Sequence, residues 1–153
     1  MRRSTLGILV AGIALPGVAA VAVATPPSGV TPTQVAKGAF ARNPDVSNLG
    51  VGFRGDAGDE VTVQSLTVDP GGTTGWHRHQ GVVLVAVKAG DLSLYDSSCR
   101  KTTYAAGTAF SESSAVHVAR NEGTSPVEVV ATFAAPANRA LTLDRPNPGC
   151  TVD

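Results

Sequence analysis

The sequence predicts an all-β protein, a small sandwich or barrel in a single domain. Three observations lead there. VTVQSLTV, residues 61–68, alternates apolar and polar residues and is rich in β-branched side chains, the period of a strand with one buried face. Strand-length runs recur about every ten residues, separated by the turn-forming stretches DPGG, KAGD, AAG and NEGTSP. No stretch carries the period of a long helix, no internal repeat is visible, and 153 residues suit one domain better than two.

The elements follow in order. MRRST places two arginines ahead of an uncharged apolar run from Leu6 to Ala24, which ends in the small-x-small triplet Ala22-Val23-Ala24. That is the pattern of a secretory signal peptide over 1–24, cut after Ala24. Pro16 and several glycines make the run a poor membrane anchor, so no stable membrane insertion is expected after cleavage. TPPSGVTPT, residues 25–33, reads as a linker, and the barrel is expected over 34–143. Its strands are 61–68, VVLVAVK (82–88), DLSLY (91–95), AVHVAR (115–120), VEVVATFAA (127–135) and ALTL (140–143). VVLVAVK is apolar on both faces, as a strand enclosed inside a sandwich would be. Residues 144–153 form a tail with little to hold it.

Charge excludes several function classes. The chain carries 12 basic and 12 acidic side chains; without Arg2 and Arg3 the mature form has 10 against 12, a net charge of −2. No basic patch exists, so nucleic acid and anionic membrane surfaces are not expected partners. The chain's two cysteines, Cys99 and Cys150, read as a disulfide in an exported protein. Such a bridge would tie down the tail and, in the chain-entropy model, contribute about 4 kcal/mol.

His77 and His79 stand two apart on a predicted strand, so both imidazoles face one side while Arg78 faces the other. Two imidazoles on one face can share a metal ion, although a hydrogen-bonded pair without metal fits the same spacing. The third and last histidine, His117, lies about forty residues further on between apolar neighbours, where a satisfied core histidine is the ordinary reading.

The spacing of these residues resembles the cupins, small double-stranded β-helix (jelly-roll) barrels. Gly71, five residues, His77-x-His79 and a closing Gly90 follow the order of the first cupin motif, which puts that motif's glutamate at Val83. Gly107 opens the second motif, and His117 with Asn121 supplies its H-x-x-x-N. Glu112-Ser113-Ser114 stands where a Pro-x-Gly is usual, and the glycine-to-histidine spacing is one residue short. The likeness spans roughly residues 60–135. In its cysteine pair and its ARNEGTSPVEVV stretch the chain also resembles small secreted single-domain cupins of actinobacterial type.

The resemblance implies that His77, His79 and His117 hold a divalent transition metal, with Fe, Zn, Ni or Cu suiting imidazole better than Mg or Ca. The family's fourth ligand is missing, since Val83 leaves an apolar wall in its slot. Trp76 is expected to pack at the barrel mouth, Glu112 to sit in the loop before the His117 strand, and Asn121 to stand near the site. Tyr95, Tyr104 and Gln80 are further polar candidates. The expected function is a secreted or extracytoplasmic protein that acts on or binds a small molecule; the alternative is a non-catalytic cupin that binds a small ligand without metal. No catalytic residue emerges, because fold does not settle activity, and pairing into a homodimer stays open.

Overall fold

A computed structural model describes residues 24–152 of the chain. The leader expected over 1–24 lies outside the described residues, apart from Ala24. There is no helix among those residues, and strand pairing is antiparallel throughout.

The strands fall into two five-stranded runs. One is, in spatial order, β1 (Ser28–Ala39), β4 (Glu60–Thr73), β11 (Val127–Ala135), β6 (Val82–Ala89) and β9 (Ala109–Glu112). The other is β8 (Lys101–Ala105), β7 (Asp91–Asp96), β10 (His117–Arg120), β5 (His77–Arg78) and β12 (Leu143–Asp144). They join where Arg120 of β10 pairs with Thr73 at the end of β4. A separate hairpin is made by β2 (Asp45–Asn48) and β3 (Val51–Arg54). This is the double-stranded β-helix that the sequence predicts.

The alternation of β4, β6 and β11 decides what lies inside. Val68, Val83, Val85, Val87, Val129 and Phe133 from the first run meet Leu92 of β7 and Ala119 of β10 in one core. Each valine or leucine buried in this way contributes about 1.5–3 kcal/mol relative to exposure. The core is built mostly from short aliphatic side chains, which leave unfilled space along the barrel axis. At the turn from β6 to β7, Gly90 has φ +76°, and a Cβ there would meet Val127 Cγ2 at 2.9 Å. Only glycine suits that backbone, and it is the glycine that closes the first histidine motif.

Three expectations change. The segment 25–33 is no linker beyond Pro27: β1 starts at Ser28 and pairs with β4 from Ser28↔Thr73 to Ala39↔Glu60. Its prolines misled the reading, but β1 is an edge strand, where a residue without an N–H is tolerated. VVLVAVK is buried on one face only; Val82 and Leu84 are 51% and 58% exposed. Of ALTL, only Leu143 belongs to a strand, and residues 140–142 run over the barrel mouth as irregular chain. The tail is tied as expected, by a Cys99–Cys150 disulfide with Cα atoms 5.4 Å apart.

Candidate metal centre

The three histidines converge. His117 of β10 is the direct cross-strand partner of His77 of β5, so both rings project from one face of the second run. His79 follows just beyond β5. All three are about 95% buried, and one ring nitrogen of each lies within 4.8 Å of the others.

The backbone sets which nitrogen faces inward. Nδ1 of His77 donates to the Gly75 carbonyl at 2.8 Å, Nδ1 of His79 to the Leu141 carbonyl at 2.7 Å, and Nδ1 of His117 to the Ala115 carbonyl at 2.9 Å. A carbonyl only accepts, so each Nδ1 carries the proton and each neutral ring keeps its lone pair on Nε2. Three local geometries produce the same tautomer. Gly75 matters here because its positive φ of +65° turns the chain, and a Cβ at that position would lie 2.1 Å from the Thr25 carbonyl.

The missing carboxylate is present on another strand. Glu112 is no loop residue but the last residue of β9, and it is the register partner of Val83 on β6. Directly opposed residues in an antiparallel pair share a face, so Glu112 occupies the same side as the motif's glutamate position, displaced by one strand. Its Oε2 lies 3.1 Å from His79 Nε2 and its Oε1 3.2 Å from His117 Nε2. Val83 is 1% exposed and lies in the same cross-strand row as Glu112, among Phe133, His79 and Leu141, not on the wall of the main cavity. The signal missed in the sequence was AFSE, four residues that alternate too briefly to read as a strand.

These contacts place lone pairs against a carboxylate. A neutral Nε2 and an ionised oxygen are both acceptors, so a cation must lie between them: a proton or a metal ion. Buried His117 Nε2 makes no hydrogen bond of acceptable geometry despite the nearby oxygen. Two ligands about 2.1 Å from a shared ion, at angles of about 90–109°, stand about 3.0–3.4 Å apart. The two nitrogen–oxygen distances fall in that interval. The donor set thus fits a transition metal with nitrogen and oxygen ligands.

Electrostatics agree. Burial, and then the neighbouring His117, bring His77 from its ordinary 6.5 down to about 4, against the opposing Gly75 carbonyl. Burial works against the charge of Glu112, but its contacts with His117 and His79 outweigh that and hold its carboxyl at about 2. Burial lowers His117, yet Glu112 overcomes it and leaves His117 raised. With no ion bound, the directions of these shifts favour an ionised Glu112, a protonated His117 and a neutral His77.

A stability prediction follows from these shifts. His77 is depressed in the fold, so its contribution is present above the unfolded value of 6.5 and lost as pH falls toward about 4. The loss can reach about 3 kcal/mol. His117 acts in the opposite sense: its contribution is present below 6.5 and lost as pH rises through its raised folded value. With chelator present, urea unfolding should show a stability maximum near neutrality and a fall from pH 6.5 to 4. His77→Asn should flatten that fall; an unchanged slope would remove His77 as its source.

The other candidates sort differently. Trp76 is fully buried; its Nε1 donates to the Val152 carbonyl at 3.1 Å and its backbone N–H to Thr25 Oγ1 at 2.9 Å, so it ties the segment before β1 and the C-terminal segment together beside the site. Asn121 does not reach the histidines. Its Nδ2 donates to the Val68 and Ser125 carbonyls and its Oδ1 accepts from the Gly123 N–H, which locks the turn before β11. Tyr95 donates to Glu122, Tyr104 stacks on Phe110, and Gln80 reaches the Ala140 carbonyl.

Beside the histidines a cavity of about 330 Å³ opens into the barrel, with His77, His79 and Glu112 in its lining. Comparison with known proteins gives this architecture a family. The model described as "Cupin domain" matches residues 64–133. The chain belongs to the cupin superfamily. Among solved structures, the polyketide cyclase RemF from Streptomyces resistomycificus superposes with a TM-score of 0.56 at 14% identity, over 82% of this chain and 80% of that one. A cupin-like protein from Thermotoga maritima gives 0.51 at 15% identity, over 57% and 65%. A conserved protein of unknown function from Streptococcus pyogenes gives 0.45 at 14% identity, over 50% and 65%, so the chain spans just under two thirds of the length of these last two. These likenesses bear on the fold alone. No curated protein sequence matches the chain. As a cupin it keeps three of the four residues of the family's metal motif, and Glu112 stands beside the empty fourth position.

Proposed function

We propose that this cupin is an exported metalloprotein in which His77, His79, His117 and Glu112 hold one divalent transition ion beside a small-molecule cavity. The observation that carries the reading is the shared tautomer: three Nδ1–H groups bound to carbonyls leave three Nε2 lone pairs aimed inward, two of them against a carboxylate. Zn, Fe, Ni or Cu suits that donor set. When bound, the ion would supply Lewis acidity toward an oxygen of the bound molecule. The chain's own residues do the rest. The three carbonyls orient the rings, as outer partners of metal-bound histidines commonly do. Glu112 offsets one unit of the ion's charge. Phe133, its ring 5.6 Å from that of His79, excludes water from one side.

Export is supported by the Arg-led apolar leader and by the disulfide, a bond that persists in oxidising compartments. No helix among the described residues is long and apolar enough to cross a membrane. The expected mature N-terminus is Thr25, and mass spectrometry of protein from the native host should find it there.

A second reading is a cupin that binds a small ligand without metal, with a proton beside Glu112 satisfying the site. The His79 Nε2 to Glu112 Oε2 contact, 3.1 Å and of hydrogen-bond geometry, favours it, since a proton satisfies that pair without an ion. Elemental analysis of the mature protein decides. The metalloprotein reading expects one transition ion per chain, removed by chelator and restored by titration. A purified protein that neither carries nor takes up zinc, iron, nickel or copper would leave the second reading standing.

A further inference from the structure

We infer that the barrel cavity takes a neutral, largely apolar molecule of about one or two fused rings, which presents one oxygen to the metal and a hydrogen-bonding group to Gln64. The inference rests on the metal reading only for the oxygen; size, polarity and the Gln64 contact come from the cavity itself.

Its volume of about 330 Å³ is at the small end of small-molecule pockets, which run from about 300 to 1,000 Å³. No lysine or arginine lines it, whereas Glu112 and Asp144 do. A phosphate or a dicarboxylate would find no side-chain cation there and would meet two carboxylates. The walls are aliphatic and aromatic, and they suit apolar surface displaced from water.

Register shows where the space lies. The cross-strand row nearest the metal site is Thr62–Phe133–Val83–Glu112, read across β4, β11, β6 and β9. The next inward-facing row is Gln64–Ala131–Val85–Phe110. Phenylalanine on β11 gives way there to alanine, so the barrel widens one step below the site. Ala131 is the residue that makes room. Gln64 stands next to it in the same row, and its side-chain amide makes no hydrogen bond among the described residues, although it lines the cavity. The remaining polar lining is grouped by sequence with the site and its mouth: Thr74, His77, His79, Glu112, Thr142 and Asp144. Gln64 is therefore an isolated polar group in an apolar wall, one step from the metal ligands, placed to select a ligand's second polar group.

The test is calorimetric titration of the mature protein, with and without zinc, against 1-naphthol, 1-naphthyl phosphate and oxalate. In the zinc-free protein, where oxalate has no ion to chelate, 1-naphthol should bind about tenfold or more tighter than either anion. Ala131→Leu fills the widened row and should weaken 1-naphthol about tenfold, and Gln64→Leu should weaken 1,5-dihydroxynaphthalene, titrated in the same way and carrying a second hydroxyl, about fivefold while leaving 1-naphthol little changed, with zinc affinity unchanged in both. Ala131→Val is the milder variant should the leucine prevent folding, and it should weaken naphthol in the same direction. Tighter binding of oxalate or the phosphate by the zinc-free protein, or Ala131 variants that bind naphthol like the parent, would overturn the assignment. If zinc does not bind the parent but naphthol still discriminates among these variants, the cavity assignment holds and the metal reading is the one that fails.

Discussion

Glu112→Gln should weaken zinc binding about 10- to 100-fold, and His117→Ala should abolish it under the same conditions. Glutamine keeps the shape of the side chain but removes its charge, so the comparison isolates the carboxylate from the packing. The decisive variant is the transposition. Val83 and Glu112 are register partners on adjacent strands, with side chains on one face. The double substitution Glu112→Val with Val83→Glu moves the carboxylate back to the strand where other cupins hold it, and it should recover much of the affinity lost in Glu112→Val. Val83→Glu alone would instead set a second carboxylate beside Glu112 in a fully buried row, an unpaired buried charge that costs several kcal/mol. It should destabilise the protein and bind zinc no better than the parent. If Glu112→Gln binds zinc with parental affinity, Glu112 is not a ligand, and the site reduces to its three histidines.

Opening the Cys99–Cys150 bridge should carry the second large effect. The C-terminal segment it anchors, from Leu141 onward, reaches well into the site. The Leu141 carbonyl holds His79, the Arg145 N–H donates to the Trp76 carbonyl, and Trp76 Nε1 donates to Val152. Cys150→Ser should cost about 2–5 kcal/mol of unfolding free energy. It should also weaken zinc binding about tenfold, because freeing the tail loosens the partner that sets the tautomer of His79. Unfolding in urea gives the first number, and zinc titration of oxidised and reduced protein gives the second. Equal zinc affinity in the two redox states would show that the tail's hold on His79 survives without the bridge.

Much of this was legible in the sequence. The long alternating strands β4, β6 and β11 announce themselves because half-buried strands must alternate, and His77-x-His79 is readable because a two-residue step returns to the same face. The shorter strands were not. β8 and β9 are five and four residues long and carry mixed polar residues, so their pattern is too brief to separate from loop. That is why Glu112 was placed in a loop: its role depends on which strand lies beside β6, a tertiary pairing that no local pattern encodes. Asn121 shows the reverse. The spacing that linked it to His117 was present, but its side chain ties the turn before β11 to Val68 of β4. The Leu141 carbonyl could not be found from side-chain types at all, since any residue supplies a carbonyl.

The route of the tail imposes an order of assembly on the centre. His79 waits for a backbone group 62 positions later in the chain. Contacts of such separation form late, after the loops between them have closed. A polypeptide still emerging from the ribosome, or held in a reducing compartment, can already possess all three imidazoles and Glu112 and yet lack the alignment that makes them a chelate. Until the C-terminal segment has crossed the mouth, the ring of His79 lacks the carbonyl that orients it. If the centre holds an ion as proposed, the bond between two residues that touch no metal would favour ion capture after oxidative folding.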